Sequence, residues 1–263
     1  MKIHFLGVTG FPASGNQTIA LLVENKGSQI LIDCGASVIS QMDSISGYIT
    51  DLDGICVTHI HADHASGSPL VFFANAMERF YSRNRSGKNS LTLAMEQVTY
   101  DNYLPLAKSA YPLFFGDKSP LNLSLKSLPN NEPSSFTVND CSITTFPVQH
   151  SVPTIGCLLT WDGHSVCYTS DTKYFDGLAS QIKSAEVLVC NIFGPTSLNE
   201  TAQRFGFMTA NEAAQLANQI GAKILVLQHL FFYERDVELC RDEAAKIFSG
   251  KILVPKDCEV ITI

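Results

Sequence analysis

Three histidines and one aspartate lie within six positions, directly after a short apolar stretch. They are His59, His61, Asp63 and His64. In an extended chain, side chains two positions apart point to the same side, so His59 and His61 can share one metal ion. If the chain then turns into a helix, the other two can reach a second ion about 3.5–4 Å away, as in two-metal hydrolytic sites. The motif favours a metal-dependent hydrolase over a histidine-rich surface loop.

Three further candidate ligands each follow a strand-like run in the second part of the chain. They are His150, Asp171 and His229. Open α/β folds gather their chemistry at the carboxyl ends of strands. Taken singly, a histidine or aspartate after a strand is more often a turn former or a satisfied polar residue. The ordered set is a much stronger signal than any of its members.

These residues resemble the HxHxDH branch of the metallo-β-lactamase superfamily, which includes ribonuclease Z and related small phosphodiesterases. The resemblance runs through residues 4–7, 31–35, 58–64, His150, 169–172 and 225–229. It implies an α/β fold, the αββα four-layer sandwich of the metallo-β-lactamase type. We expect a single domain over residues 1–263. Because residues 69–111 are long for a connection, we also expect a helical insertion at about 69–120.

The resemblance implies a role for every candidate ligand. It places His59, His61 and His150 on one ion, Asp63, His64 and His229 on the other, and Asp171 as the bridge. The implied nucleophile is a metal-bridging hydroxide, since two divalent ions lower the pKa of a shared water to near neutrality. Asp63 could also accept a hydrogen bond from the attacking water. Imidazole and carboxylate ligands without a thiolate make zinc the default ion, with manganese or iron as alternatives.

Two positions depart from the ribonuclease Z pattern. Where those enzymes carry a Glu and a His that together protonate the leaving group, this chain has Asn191 and Phe207. The departures argue against tRNA 3′ processing. Protonation is then expected from water, from Asp63 or from the hydroxyl of Tyr174, which favours a substrate with a good leaving group.

Five of the seven histidines are assigned to metal, which leaves His4 and His164. We expect His4 to be a strand residue near the core and His164 to be a turn residue. Neither is then a good general acid.

We therefore predict a phosphodiesterase that acts on a small or cyclic phosphate ester, with an anionic small molecule as substrate. Two alternatives stay open. One is a lactone, ester or amide hydrolase with the same dinuclear site. The other is a metal-dependent protein that binds its ligand without turnover. A homodimer is also left open.

Composition limits the partners of the chain. Its net charge of −7 argues against broad nucleic-acid binding, because proteins that track phosphates need clustered cations. One basic cluster, formed by Arg79, Arg83, Arg85 and Lys88, is interpreted as a solvated helix end, with a phosphate-binding patch as the alternative.

We expect no membrane partner and a cytoplasmic location. The chain contains no run of eighteen apolar residues, and its N-terminus leads into a strand pattern rather than a signal peptide. Its eight cysteines are scattered without CxxC spacing, which predicts free, buried thiols.

The elements expected to position the site are strands followed by loops or helices. Residues 54–57, 141–149, 165–170 and 223–228 are strand-like runs that each precede a candidate ligand. Thr209 and Glu212 form a plausible capping box for a helix over 209–220. Helix is also predicted over 95–110. In the loop at 8–16, Phe11 and Pro12 are candidate substrate contacts.

Overall fold

The computed structural model describes residues 1–10, 15–45, 47–81, 88–116, 119, 121–231 and 233–263; of residues 233–235 it describes the backbone alone. The strands in these ranges are β1 Lys2–Gly7, β2 Ala20–Asn25, β3 Ser28–Ile32, β4 Gly54–Val57, β5 Ser90–Glu96, β6 Asn122–Leu128, β7 Ser134–Val138, β8 Cys141–Pro147, β9 Ile155–Trp161, β10 His164–Tyr168, β11 Val187–Gly194, β12 Met208–Thr209, β13 Ile224–Gln228, β14 Lys251–Leu253 and β15 Glu259–Thr262. The helices are α1 Val38–Ser44, α2 Ala62–Ala65, α3 Ser68–Phe80, α4 Gln97–Ala110, α5 Leu178–Ile182, α6 Asn199–Phe205, α7 Ala210–Gln219 and α8 Tyr233–Ala245. Candidate contacts Phe11 and Pro12 lie outside the described residues.

The chain forms two compact units, each built on one sheet. The first unit comprises residues 1–7, 17–128 and 257–263, and the second comprises 8–16 and 129–256. Both units combine strands and helices, so the predicted α/β class is confirmed. Among the described residues, we find no helix with the length and apolar character needed to span a membrane.

The sheet of the first unit has the strand order β15-β1-β2-β3-β4-β5-β6. Strands β3 to β6 run parallel to one another, and their carboxyl ends therefore share one edge. All four residues of β4 are buried, as expected for a parallel strand covered on both faces. Val38 of α1 and Phe72 of α3 pack with Leu31 of β3 in the apolar core of this unit.

The sheet of the second unit has the order β14-β13-β11-β10-β9-β8-β7, with β12 paired to β11. Strands β10, β11 and β13 are parallel, and β9 is antiparallel to both β8 and β10. Strands β8, β10, β11 and β13 therefore run in the same direction and end at one edge. All eight residues of β11 are buried, in keeping with its place between two parallel neighbours.

The structure confirms one expectation about single elements and corrects two others. The capping box of Thr209 and Glu212 is confirmed at the start of α7. The helix predicted over 95–110 begins at Gln97, because the residues before it belong to β5, a strand that the sequence pattern does not predict. His164 is not a turn residue. It opens β10, and its Nδ1 lies 2.7 Å from Oε2 of Glu186.

The interpretation of the basic cluster as a solvated helix end is also corrected for the members that the structure describes. Arg79 lies in the last turn of α3 as expected, but it is buried rather than solvated, and its guanidinium donates to the carbonyl of Thr50 and to Oδ1 of Asn75. Lys88 donates to Oδ2 of Asp53 at 2.7 Å. Arg83 and Arg85 lie outside the described residues.

The cysteine prediction is confirmed. All eight cysteines are free, and all but the half-buried Cys258 are buried.

Candidate metal centre

One group of predicted ligands lies in the first unit, beyond the carboxyl ends of β3 and β4. The two strands pair in parallel with Ile32 opposite Cys56, so the residues that follow them leave the same edge of the sheet. Asp33 follows β3, is fully buried and has a φ of 59°. Its Oδ1 accepts hydrogen bonds from the backbone N–H of Thr58 at 2.8 Å and from the Thr58 hydroxyl at 3.0 Å.

The same carboxylate orients a predicted ligand. Oδ2 of Asp33 lies 2.7 Å from Nδ1 of His64 in α2. When Nδ1–H donates to that oxygen, Nε2 becomes the nitrogen that carries the lone pair. Nε2 of His64 lies 3.5 Å from Oδ2 of Asp63. Asp33 is thus a positioning residue. Its place directly after a strand is apparent from the sequence, but its contact with His64 is not.

His59 and His61 form the other pair in the first unit. Nε2 of His59 lies 3.2 Å from Nδ1 of His61, and the two rings meet edge to face with centroids 4.8 Å apart. The chain brings them together because His59 sits just beyond β4 and His61 directly precedes α2. His59 is buried and His61 is half-buried.

A second group of predicted ligands lies in the second unit, at the carboxyl edge of its sheet. His150, Asp171 and His229 follow β8, β10 and β13, respectively. Oδ2 of Asp171 lies 3.6 Å from Nε2 of His150 and 3.5 Å from Nε2 of His229. The three side chains are almost fully inaccessible to solvent, since each has an exposed fraction of 1%.

The other carboxylate oxygen of Asp171 is held by an amide network. Nδ2 of Asn191 donates to Oδ1 of Asp171 at 2.7 Å and to the hydroxyl of Tyr168 at 2.9 Å. Oδ1 of Asn191 accepts from Nε2 of Gln228 at 2.9 Å. Asn191 is fully buried. The network therefore fixes the direction in which Oδ2 points.

His150 is oriented by a backbone carbonyl. Its Nδ1 lies 2.9 Å from the carbonyl oxygen of Gly206, which follows the last residue of α6 and has a φ of 77°. A Cβ at this glycine would lie 2.8 Å from Nδ1 of His150, so the position requires a residue without a side chain. With Nδ1–H donated to the carbonyl, Nε2 is again the lone-pair nitrogen.

Backbone conformation is also unusual at the other ligands of this unit. His229 has a φ of 72°, and its N–H donates to the carbonyl of Val8 at 2.7 Å. Ser170, directly before Asp171, has a φ of 55°. Left-handed conformations of non-glycine residues cost about 1–3 kcal/mol each and cluster at functional sites.

Tyr174, a candidate proton donor, and Cys190 lie close in sequence to Asp171 and Asn191, respectively. The hydroxyl of Tyr174 hydrogen-bonds with the side-chain amide of Gln219. Burial raises the pKa of the Cys190 thiol well above its ordinary value, so the thiol stays neutral and serves packing.

The separations between ligand atoms suit bound cations. Two ligand atoms that each lie about 2.1 Å from a tetrahedral ion are about 3.4 Å apart. The pairs within each unit lie 3.2 to 3.6 Å apart. In two of these imidazoles, Nδ1 lies within hydrogen-bonding distance of a fixed oxygen, as the second nitrogen of metal-binding histidines generally does. The donor set therefore fits divalent metal ions, whereas the individual ligand roles remain predictions.

Comparison with known proteins finds relatives named metallo-hydrolase and ribonuclease Z. A family model described as the beta-lactamase superfamily domain matches residues 28–230. The probable metallo-hydrolase YhfI of Bacillus subtilis is 25% identical over 261 residues, with 97% of each chain covered. A ribonuclease Z of Metallosphaera sedula is 25% identical over 291 residues, which cover 100% of this chain and 99% of that protein.

A solved structure extends the likeness to the fold. The crystal structure of the metallo-beta-lactamase fold protein YhfI from Bacillus subtilis matches with a TM-score of 0.80 at 24% identity, covering 99% of this chain and 98% of that one. The expected fold of the metallo-β-lactamase type is thereby confirmed. With a family match across most of its length and this fold, the chain belongs to the metallo-β-lactamase superfamily.

Proposed function

We propose that the chain is a hydrolase that uses two divalent metal ions to cleave a small or cyclic phosphate diester. One observation carries the proposal: imidazole and carboxylate atoms approach one another at 3.2 to 3.6 Å in both units, and buried groups orient them. Its relationship to proteins named metallo-hydrolase and ribonuclease Z supports the same class of chemistry.

We assign the seven ligands as the family pattern predicts. His59, His61 and His150 would hold one ion, Asp63, His64 and His229 would hold the other, and Asp171 would contact both. Zinc is the default ion for this donor set, with manganese or iron as alternatives. When bound, the ions supply a Lewis acid that activates water near neutral pH and neutralises charge on the phosphoryl oxygens.

The protein's own groups then divide the remaining tasks. Asn191 and Gln228 hold Asp171 so that one oxygen keeps a constant direction. Asp63, whose side chain is 21% exposed, is the carboxylate that can accept a hydrogen bond from an attacking water. Phe207 offers no proton, and both N–H groups of the Asn191 amide already donate to fixed oxygens. The substrate should therefore have a leaving group that departs without strong acid catalysis.

The size of the substrate is a separate part of the proposal. The relatives named ribonuclease Z do not support the expectation that nucleic acid is an unlikely partner. We still favour a small diester, because the net charge is −7 and because Asn191 and Phe207 replace the acid pair of ribonuclease Z.

The test begins with chain stripped by a chelator and reloaded with Zn²⁺ or Mn²⁺. Bis(p-nitrophenyl) phosphate and cyclic nucleotides serve as substrates, and metal content is measured by elemental analysis. We expect turnover that requires metal. Fully loaded protein without activity on any of these diesters would contradict the proposal, and turnover of lactones or thioesters instead would indicate a carbonyl substrate. Tight binding of a diester without its consumption would indicate a binding protein.

Asp171→Ala gives the sharper test of the assignment. We expect loss of at least one ion and a fall in turnover of about a thousandfold or more. Asp176→Ala, at an exposed aspartate that is not a predicted ligand, is the matched control and should keep both ions. A variant at Asp171 that still binds two ions per chain would refute its bridging role.

A further inference from the structure

Four phenylalanines form a cluster beside two of the predicted ligands. Phe193 lies near the end of β11, Phe205 ends α6, Phe207 follows Gly206, and Phe231 follows β13 by three residues. We call Phe193, Phe205, Phe207 and Phe231 the phenylalanine cluster. The ring centroids of Phe193 and Phe231 are 4.8 Å apart, and those of Phe207 and Phe231 are 5.7 Å apart.

The cluster contacts the imidazoles directly. The ring centroid of Phe207 is 5.0 Å from that of His150 and 5.0 Å from that of His229. Phe231 lies 5.4 Å from His229 by the same measure. One side of the cluster thus packs against the imidazole rings that we assign to metal binding.

The opposite side of the cluster reaches solvent. Phe193 and Phe207 are 8% and 5% exposed, whereas Phe205 is 50% exposed and stacks on Phe193 with an interplanar angle of 5°. A single exposed aromatic ring needs no explanation. A continuous set of rings between solvent and two predicted ligands is different, because these apolar rings offer a ligand no polar contacts on that side of the site.

A cation borders the solvent end of the cluster. Cζ of the exposed Arg204 lies 5.9 Å from the ring centroid of Phe205. A guanidinium in this position attracts an anionic ligand towards the rings. The combination suits a molecule that carries both a negative charge and an apolar, planar group.

We propose that the phenylalanine cluster binds an aromatic group of the anionic substrate while the charged group lies at the metal ions. The inference rests on the proposed function and narrows it to esters with an aryl or similarly planar apolar substituent. Aromatic rings favour stacked or edge-to-face partners at centroid separations of about 4.5–7 Å, the range found within the cluster itself.

Two simple phosphonates test the inference without requiring turnover. Phenylphosphonate and methylphosphonate present the same charged group to the ions, and only the first carries a ring. Calorimetric titration of the metal-loaded protein should give about tenfold tighter binding of phenylphosphonate, as expected for burying roughly 55 Å² of additional apolar surface at about 25 cal/mol per Å².

Variants assign the preference to the cluster. Phe207→Ala should reduce the ratio of the two affinities to about twofold or less, and the ratio rather than either affinity is the readout, because Phe207 also packs against His150 and His229. Phe205→Ala removes a half-exposed ring, so it should fold even if Phe207→Ala does not, and it should lower the ratio by about threefold. Phe80→Ala, at a 61% exposed ring on α3, is the control and should leave the ratio unchanged.

The outcomes separate this inference from the proposed function. A preference for phenylphosphonate that both cluster variants reduce would support the inference even if no diester is hydrolysed. Equal affinities in the parent protein, binding of neither phosphonate, or a preference that survives both cluster variants would overturn it. Hydrolysis of bis(p-nitrophenyl) phosphate together with equal affinities would leave the proposed function standing and remove the inference alone.

Discussion

Replacing Asn191 with leucine should weaken metal binding through a residue that is not itself a ligand. The buried amide donates to Oδ1 of Asp171 at 2.7 Å and to the Tyr168 hydroxyl at 2.9 Å, and it accepts from Gln228 at 2.9 Å. Leucine has a similar size and makes none of these bonds. Asp171 would then lose the contact that fixes its orientation.

The magnitude follows from the kind of bond removed. A hydrogen bond to a charged group contributes about 1.5–3 kcal/mol, and a buried polar group without its partner costs about 1–3 kcal/mol. Because Tyr168 and Gln228 each lose one hydrogen bond as well, the free energy of unfolding should fall by about 3–5 kcal/mol. Loss of a group that orients a ligand typically lowers metal affinity by about 10–100-fold, and we expect a change of that size.

Two control variants separate the effect on metal from the effect on stability. Tyr168→Phe removes one bond of the network but keeps the one between Asn191 and Asp171, so it should change metal affinity by less than about threefold. Asn75→Leu removes a buried amide in the first unit that bonds to Ile49 and Arg79, none of them a predicted ligand. It should lower stability without a specific loss of metal.

The assay is competition for Zn²⁺ against a chromophoric chelator, with urea unfolding of each variant under the same conditions. Folded Asn191→Leu protein that binds metal within twofold of the parent would refute the reasoning. So would an equal loss of affinity in Asn75→Leu, because the loss would then reflect general destabilisation.

Two further predictions concern the rest of the molecule. Seven of the eight cysteines are buried, and burial raises the pKa of the Cys141 thiol to about 12. A thiol reagent at pH 8 should therefore label no more than Cys258 in the native chain and all eight cysteines in urea. Labelling of several thiols in the folded protein would contradict this prediction. The hydrogen bond from His164 lowers the pKa of Glu186; burial opposes this shift and Lys223 adds to it. The ionised Glu186 therefore stabilises the fold at pH values above the ordinary carboxyl pKa of about 4.3. This stabilisation is lost as the pH falls through the lowered pKa. Glu186→Gln should therefore reduce the free energy of unfolding by up to about 1 kcal/mol at neutral pH, with the difference shrinking from about pH 5 to about pH 3 in urea titrations; a constant difference would show that the charge is not responsible.

Some residues of the candidate site can be recognised from the sequence alone, whereas the roles of others depend on contacts that only the fold creates. Histidines such as His59 and His61 stand out because their spacing alone suggests chemistry. Asp33 is visible after its strand, but its partnership with His64 depends on the pairing of β3 with β4. The carbonyl of Gly206 gives no signal at all, since every residue type carries one.

Strand β5 illustrates the same limit for the fold. Its residues Thr92 to Glu96 include Ala, Met and Glu, which favour helix, and only the neighbouring strands β4 and β6 explain why they are extended. The net charge of the chain likewise does not show where each charged residue lies. Arg79 contributes one positive charge to it, although its side chain is buried and donates to Thr50 and Asn75.

The turn at Gly206 serves two purposes at once. Its carbonyl steers His150, and the residues on either side of it, Phe205 and Phe207, belong to the phenylalanine cluster. Exchanging this tripeptide to accommodate a different substrate would therefore disturb an imidazole at the same time. Directed evolution of new selectivity in this segment should screen its libraries for metal content before ranking them by rate, because a clone can fail by losing its ion rather than by misfitting its ligand.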